Sequence, residues 1–514
     1  MRHVTFAQLS TRKRTLARSP RRTGVPARRG RPGAVFPGRA HGHVPGDTRT
    51  PREHPDMTTI ATTNPATGHV EKTFDELADE EVDRRIGRAA ETFAAYRTTD
   101  LGRRAEWMNA AARILDDEAG QIGAMLTTEM GKTLKAAIAE AQKCAKACRY
   151  YAEHAAEFLA DRPADPEAVG ARDAYVHYQP LGPVLAVMPW NFPLWQVIRF
   201  AAPGLMAGNV GLLKHSSNVP QTALFLEDLF RRAGFPEGAF QTLLIGSAKV
   251  ERVLRDPRVK AATLTGSEPA GRSVAAIAGD EIKPTVLELG GSDPFVVMPS
   301  ADIAAAAEAA ATSRCLNNGQ SCISAKRFIV DGGCADEFER LFVENMRALK
   351  VGDPMDEDTD VGPLVSEQGR ADVEELVADA VGKGAAVLCG GERPDRPGWY
   401  YPPTVIGGVT RDMRMFHEEV FGPVASLFRV DGADEAIALA NATGFGLGSN
   451  AWTRDPAERE LFVRELDAGQ VFVNGMTTSY PELPFGGVKR SGYGRELSSQ
   501  GMHAFCNAKT VWAA

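Results

Sequence analysis

Val184-Leu185-Ala186-Val187-Met188 is a short, fully apolar run in a chain of 514 residues. Similar strand-like runs follow at 210–214, 240–245 and 261–265, and the segment 221–233 has helical character. Continuous apolar runs of this length are typical of strands that are buried on both faces of a sheet. Because such strands alternate with helices, the sequence predicts an α/β fold with a parallel, doubly wound sheet.

The rest of the chain extends this pattern on both sides. Residues 79–160 carry apolar side chains at helical spacing, and a second block of alternating strands and helices runs from 295 to about 490, including a helix at 302–311. Short strand-like segments lie at 174–178 and near the C-terminus, at 509–512. The length favours about three domain-sized units rather than one core.

Composition excludes several classes of protein. The chain is 43% hydrophobic and 24% charged, and it has no apolar window of the ~20 residues that a membrane-spanning helix needs. Its seven cysteines form no CxxC pair and no cluster with histidines. This pattern predicts neither a disulfide framework nor a metal site, and it favours the reducing cytoplasm.

The basic residues are concentrated at the N-terminus. Residues 1–56 hold 13 Lys and Arg, 3 Asp and Glu and 7 Pro, whereas the whole chain has a net charge of −7. The remainder is therefore acidic and offers no electrostatic footprint for nucleic acid or an anionic membrane. We expect the tail to be disordered, or translation to start at Met57; nucleic-acid binding by the tail is the alternative.

Cys322 is the candidate nucleophile. It ends the segment Asn317-Asn318-Gly319-Gln320-Ser321-Cys322, in which Gly319 permits a close approach of the backbone to a ligand. A thiolate is the strongest side-chain nucleophile near neutral pH, and neighbouring backbone amides or a helix N-terminus would lower its pKa. The other six cysteines lack such a motif and are expected to be structural thiols.

Two more residues could act with this thiol. Glu288 follows a strand and precedes Gly290-Gly291, 34 residues before Cys322, which suits a general base that activates water. Asn191 lies on a stiff apolar turn between Trp190 and Phe192 and could donate to an oxyanion. The alternative for Glu288 is a solvated carboxylate at the end of a strand. The alternative for Asn191 is an ordinary turn residue.

Strand-to-helix turns are the candidate cofactor site. One turn follows Lys214 and contains Ser217, and another is Thr265-Gly266-Ser267. At such turns backbone amides and a helix N-terminus can meet a ribose or a pyrophosphate, although no GxGxxG motif is present. Farther along, Glu419 offers a carboxylate for ribose hydroxyls and Phe421 offers a ring to pack on a nicotinamide.

Together these motifs resemble those of the aldehyde dehydrogenase superfamily, over residues 57–514. Within it, the likeness is closest to the branch of bacterial NADP-dependent succinate-semialdehyde dehydrogenases, on the segments 212–218, 317–323 and 479–485. Seven motifs occur in the family's order: Pro189–Pro193, Lys214, Thr265–Ser267, Glu288–Gly291, Gly319–Cys322, Glu419–Pro423 and Pro484–Gly487.

The resemblance implies a catalytic cycle. Cys322 would add to an aldehyde, the Asn191 side chain and the Cys322 backbone N–H would stabilise the oxyanion, and Glu288 would activate water to hydrolyse a thioester. It also implies a set of cofactor contacts: Trp190, Lys214, Ser217, Gly266, Ser267, Leu289, Glu419 and Phe421. Ser217 stands where NAD-preferring relatives carry a Glu, so NADP is the expected cofactor, with NAD possible.

The substrate implied is succinate semialdehyde, oxidised to succinate. Arg199, eight residues after Asn191, would clamp its distal carboxylate, although Leu316 occupies the place where some relatives have a second arginine. The alternatives are glutarate semialdehyde, an aliphatic aldehyde or, outside enzymes, a catalytically silent scaffold on the same fold.

The resemblance also implies a domain organisation. Residues 57–163 and 182–290 would form the cofactor-binding domain, 291–492 the catalytic domain, and 164–181 with 504–514 a β oligomerisation arm. The expected partners are a small aldehyde and further copies of the chain in a homodimer or homotetramer, with neither nucleic acid nor membrane.

Overall fold

The structure is a computed structural model that describes residues 60–514. The expectations for the basic tail at 1–56 and for a start at Met57 therefore lie outside the described residues. Within 60–514, no helix has both the length and the apolar character needed to cross a bilayer.

A small hairpin and a group of helices come first. The hairpin contains β1 (Ile60–Asn64) and β2 (His69–Phe74), and the helices are α1 (Asp79–Tyr96), α2 (Leu101–Asp117), α3 (Ala119–Met130) and α4 (Leu134–Phe158). The helical pattern predicted for 79–160 is thus confirmed. Small residues on α4 let it pack closely against α2, α3 and the later helix α5.

The first large sheet has six strands. It contains β5 (Pro183–Met188), β6 (Val210–His215), β7 (Phe240–Thr242), β8 (Ala261–Thr265), β9 (Thr285–Glu288) and β17 (Gly492–Tyr493). Their order is β17-β9-β8-β5-β6-β7, and all neighbours are parallel except β17 and β9. The order reverses at β5, as in a doubly wound sheet, so the predicted fold class is confirmed.

The helices between these strands include α5 (Trp195–Ala207), α6 (Pro220–Arg232), α7 (Val250–Arg255) and α8 (Glu268–Asp280), with a 3-10 turn at Ser247–Lys249. α8 begins where Ser267 accepts a hydrogen bond from the Ala270 backbone, a standard N-cap. The strand predicted at 240–245 is shorter than expected, because pairing with β6 ends at Thr242.

The second large sheet has seven strands. They are β10 (Pro294–Val297), β11 (Arg327–Asp331), β12 (Ala386–Cys389), β13 (Thr404–Gly407), β14 (Val424–Val430), β15 (Asn450–Trp452) and β16 (Phe472–Val473). The order is β12-β13-β14-β11-β10-β15-β16, with only β12 antiparallel to its neighbour.

Helices of this second block surround its sheet. They are α9 (Ile303–Cys315), α10 (Ala335–Ala348), α11 (Glu367–Gly382), α12 (Arg414–His417), α13 (Ala433–Ala440) and α14 (Pro456–Glu465). The helix predicted at 302–311 begins at Ile303, since Asp302 is its N-cap, and it continues to Cys315. 3-10 turns lie at Leu316–Gly319 and Lys489–Ser491.

A separate three-stranded sheet involves the C-terminus. β18 (Cys506–Ala513), which follows α15 (Ser498–His503), pairs antiparallel with β4 (Asp173–Pro180), and β4 pairs with β3 (Arg162–Pro163). The strand-like segments at 174–178 and 509–512 are therefore confirmed and lie side by side. The domain boundaries and the role of this sheet as an oligomerisation arm stay predictions.

Candidate active site

The candidate site lies at the carboxyl edge of the six-stranded sheet. Thr265 and Glu288, the last residues of β8 and β9, are register partners, and the segment that begins at Pro189 leaves the neighbouring β5 at the same edge. Ligands of doubly wound sheets bind at this edge, in the crevice where the strand order reverses. The sheet thus brings together segments that are up to about a hundred residues apart in the chain.

The loop that carries Cys322 has an unusual backbone. Asn317, Asn318 and Gly319 all have positive φ, at 56°, 58° and 76°. A Cβ on Gly319 would lie 2.3 Å from the backbone of Gly422, so this glycine is required by contact with the Gly422-Pro423 backbone. The expected close approach is therefore observed, and its partner is protein backbone.

Hydrogen bonds hold this loop in place. The Arg314 guanidinium donates to the Gly319 carbonyl over 2.5 Å, and the Lys326 ammonium donates to the carbonyls of Ser321 and Cys322 over 2.8 and 2.7 Å. Among the described residues, no acceptor pairs with the Cys322 backbone N–H. That donor is therefore available to a ligand beside the thiol.

The acidity of Cys322 differs from expectation. Burial raises the pKa of this thiol to about 12, and the nearby Arg199 and Lys326 lower it only in part. The expected lowering by backbone amides or a helix N-terminus is thus wrong for the ligand-free structure, because the loss of hydration outweighs these groups. At neutral pH the thiol holds its proton.

Asn191 is buried and its amide is held in one orientation. Its Oδ1 accepts from Gln196 Nε2 at 3.0 Å, and its Nδ2 donates to the Gln320 carbonyl at 3.1 Å. An amide nitrogen carries two N–H groups, and in residues 60–514 the second has no acceptor. Asn317 Nδ2 donates to the Asn191 carbonyl at 2.8 Å, which ties this residue to the cysteine loop.

Glu288 is buried without a hydrogen-bond partner. Neither carboxyl oxygen has one among the described residues, so no hydrogen bond fixes the side chain. Burial raises its pKa well above the usual range, and Glu496 raises it further, against the lowering effect of Arg199 and Arg495. Burial thus favours the protonated form of Glu288 in the ligand-free protein.

Cys322 borders two cavities, each with a volume of about 230 Å³. The first, which we call the cofactor cavity, lies at the sheet edge and is also lined by Asn191 and Glu288. Six of the eight predicted cofactor contacts line it: Trp190, Gly266, Ser267, Leu289, Glu419 and Phe421. The predicted nucleophile, base, oxyanion donor and most cofactor contacts therefore converge.

Some of these contacts have fixed positions. The rings of Trp190 and Phe421 meet edge to face, with centroids 5.7 Å apart. Glu419 Oε1 accepts from the Gly291 backbone at 3.1 Å and forms an ion pair with Lys326 at 3.1 Å. The Lys326 ammonium thus links the Glu419 carboxylate to the cysteine loop.

Lys214 and Ser217 lie outside the cofactor cavity. Both belong to the end of β6 and the turn after it, next to β5 in the sheet. No carboxylate in the described part of the chain forms an ion pair with Lys214, and burial lowers its pKa. The Ser217 carbonyl accepts from the Ala61 backbone at 3.0 Å. This region can accept an additional anionic group beside the cavity.

The second cavity, which we call the substrate cavity, lies between α4, α5 and the segment 476–485. Arg199 lines it and is only 3% exposed. Its Nε forms an ion pair with Glu496 at 2.5 Å, and its Nη2 donates to Thr265 Oγ1 at 3.3 Å. Most of the guanidinium is therefore already occupied by protein groups.

Sequence reasoning missed three residues here. Gln196 lines both cavities and orients Asn191, while Lys143 and Ser479 line the substrate cavity and hydrogen-bond each other at 3.0 Å. Gln196 and Lys143 belong to none of the motifs named above, and Ser479 entered only as the first residue of the segment 479–485. The amide type of Gln196, five residues after Asn191, was the only chemical signal. In residues 60–514 no cluster of three His, Cys, Asp or Glu side chains could hold a metal ion.

Comparisons with known proteins agree with this site. The model of the aldehyde dehydrogenase family matches residues 52–511. The succinate-semialdehyde dehydrogenase [NADP(+)] 1 of Mycobacterium tuberculosis strain H37Rv is 66% identical over 88% of this chain and 100% of its own length. The corresponding protein of Mycobacterium leprae is 63% identical over the same shares.

A solved structure is also similar. The succinic semialdehyde dehydrogenase of Streptococcus pyogenes, crystallised in complex with NADP+, superposes with a TM-score of 0.86 at 38% identity, over 88% of this chain and 99% of that one. Fold, site and relatives agree. The chain belongs to the aldehyde dehydrogenase family.

Proposed function

We propose that this protein oxidises succinate semialdehyde to succinate with NADP, through a covalent intermediate on Cys322. One observation carries the proposal: Cys322 lies where a cavity at the cofactor edge of the sheet meets a second cavity lined by cationic side chains. Relatives at 63–66% identity that are named for this reaction support it.

The described residues fit NADP. Ser267 and the N-terminus of the 13-residue helix α8 line the cofactor cavity, and such helix ends favour phosphate. Ser217 presents no carboxylate that would repel a 2′-phosphate, and Lys214 beside it has a charge without an ion-pair partner in the described residues. When bound, NADP would supply the hydride acceptor for the oxidation of a thiohemiacetal on Cys322 to a thioester.

The remaining steps belong to side chains of the chain. The Cys322 thiol gives its proton to solvent water, its sulfur adds to the aldehyde carbon, and the resulting oxyanion accepts from the free N–H of Asn191 and from the Cys322 backbone N–H. Glu288, once deprotonated, takes a proton from the water that attacks the thioester, and it returns that proton to the departing Cys322 sulfur as the acid is released. A carboxyl that no hydrogen bond fixes suits a base that acts only in this second half.

Arg199 is proposed to contact the distal carboxylate of the substrate. Its Nη1 pairs with no residue in 60–514, and the residue lines the substrate cavity, so this group is available to a substrate. We further propose a cytoplasmic homo-oligomer, on the basis of seven free cysteines and the exposed strand β18.

A panel of aldehydes tests the proposal. We expect the kcat/KM for succinate semialdehyde with NADP to exceed those for glutarate semialdehyde and butanal, and NADP to be preferred to NAD. A higher kcat/KM for butanal than for succinate semialdehyde would contradict the substrate, and a preference for NAD would contradict the cofactor. Cys322→Ala is the control, and it should lack activity with every aldehyde.

A further inference from the structure

Charges around the substrate cavity are not balanced. Three cations line it: Lys132, Lys143 and Arg199. Lys132 forms a fully buried ion pair with Glu140, and Arg199 forms one with Glu496. Lys143 forms no ion pair with any residue in 60–514, so it is the one of these three cations whose charge has no partner.

Lys143 reaches the cavity from one face of α4. Ala136, Ala139, Glu140 and Lys143 all line the cavity, and their spacing of three and four residues places them on one side of a helix. The Lys143 ammonium lies 4.3 Å from the centroid of the Trp195 ring. It is thus held at the wall of the cavity and does not extend into solvent.

Ser479 next to it is arranged to donate. Its Oγ accepts two hydrogen bonds, from Lys143 Nζ at 3.0 Å and from Trp195 Nε1 at 2.8 Å. A hydroxyl has two acceptor lone pairs and one O–H, so both lone pairs are used. Among the described residues no acceptor receives the Ser479 O–H, although the side chain is buried. The O–H of Ser479 is therefore available to an acceptor on a ligand.

We infer that Lys143, with the Ser479 hydroxyl, is a specificity-determining anchor for the distal carboxylate of the aldehyde substrate. This inference rests on the proposed function. The carboxylate would be the ion-pair partner that Lys143 lacks and would accept a hydrogen bond from the Ser479 O–H. An aliphatic aldehyde such as butanal has no carboxylate and can do neither. Arg199 would donate a further hydrogen bond to this carboxylate. Its positive charge is already balanced by Glu496, whereas that of Lys143 is not.

Removal of the Lys143 charge tests this assignment. We expect Lys143→Met to lower kcat/KM for succinate semialdehyde about 10- to 100-fold more than it lowers kcat/KM for butanal. A factor of this size is typical of the loss of a hydrogen bond to a charged group. Most of the effect should be an increase in KM. Lys143→Arg should restore most of the preference. Lys146→Met is the matched control, because it removes an exposed lysine of the same helix that pairs with Glu482 outside the cavity.

A binding measurement supplements the kinetics. Succinate should inhibit butanal oxidation competitively in the wild type, and its inhibition constant should rise at least tenfold in Lys143→Met and in Lys143→Gln, the second neutral variant. If the wild type does not prefer succinate semialdehyde to butanal, the proposed function fails. If it does and both neutral variants retain the preference, the Lys143 assignment is overturned while the function stands.

Discussion

Burial raises the pKa of both Cys322 and Glu288 in the ligand-free protein. A group whose pKa is raised becomes charged only as the pH rises toward that pKa. At neutral pH the Cys322 thiol is therefore dormant, and burial also favours the protonated form of Glu288, until a bound ligand changes their surroundings. This state limits unwanted reactions of the thiol.

Alkylation of Cys322 tests its acidity. Since only the thiolate reacts and the pKa is about 12, the rate with iodoacetamide in the absence of NADP should rise about tenfold for each pH unit from 7 to 9. Mass spectrometry of the peptide that contains Cys322 measures the rate. Free glutathione is the control, since its rate levels off near the ordinary thiol pKa of about 8.5. A plateau for Cys322 below pH 8 would contradict the raised pKa.

The role of Glu288 predicts a separation of two steps. Glu288→Gln removes the base and retains size and polarity, so thioester formation should continue while hydrolysis stops. Stopped-flow absorbance should show a burst of NADPH near one equivalent per site, followed by turnover reduced at least a hundredfold. Loss of the burst together with turnover would instead assign Glu288 to an earlier step.

At the scale of elements, the position of α5 depends on one buried carboxylate. Glu140 of α4 accepts from the backbones of Leu194 and Trp195, both at 2.9 Å, and it pairs with the buried Lys132. The start of α5 leaves these N–H groups without helical partners, and the carboxylate satisfies them. α5 in turn carries Gln196 and Arg199 to the two cavities.

This contact predicts a large change in stability. Glu140→Gln leaves the Lys132 charge buried and unpaired, which costs about 3–5 kcal/mol of unfolding free energy. Differential scanning calorimetry should show a lower melting temperature, and the double variant Lys132→Met with Glu140→Gln should recover most of the loss. Lys135→Met, which breaks only the exposed pair with Asp360, should change little. Equal losses in both single variants would contradict the argument.

Elements and motif residues were predictable to different degrees. Cys322, Glu288 and Asn191 each lie in a local motif, so neighbours in the chain indicated their chemistry. Lys143 and Ser479 are 336 residues apart, and each has an ordinary local context. They come into contact only when α4 packs against the segment 476–485. The sequence around either residue does not indicate this packing. The ion pair of Arg199 with Glu496 was missed for the same reason.

At the scale of the whole molecule, the open edge of the strand β18 is the main feature. Within residues 60–514, β18 pairs with β4 on one side and with no strand on the other, and Trp512 on it is 54% exposed. An unpaired strand edge with an exposed aromatic side chain favours association with another chain. This geometry supports the oligomerisation arm that the resemblance implies.

Truncation tests the arm. A chain that ends at Phe505 lacks β18, and light scattering should show a smaller assembly than that of the full-length protein. Trp512→Ser is the milder companion variant, expected to weaken assembly and to retain the fold. An unchanged mass after truncation would exclude β18 as a subunit contact.

Among residues 60–514, only Cys322 and Gln196 line both cavities. The other residues that line the two cavities form separate sets, even where they are neighbours in the chain, as Asn191 and Phe192 are. Lys214 and Ser217 line neither cavity, so a substitution there leaves the wall of the substrate cavity intact, and the nucleotide preference can change alone during divergence. An enzyme designer could therefore exchange the redox partner of this scaffold at the β6 turn without rebuilding the pocket that recognises the aldehyde.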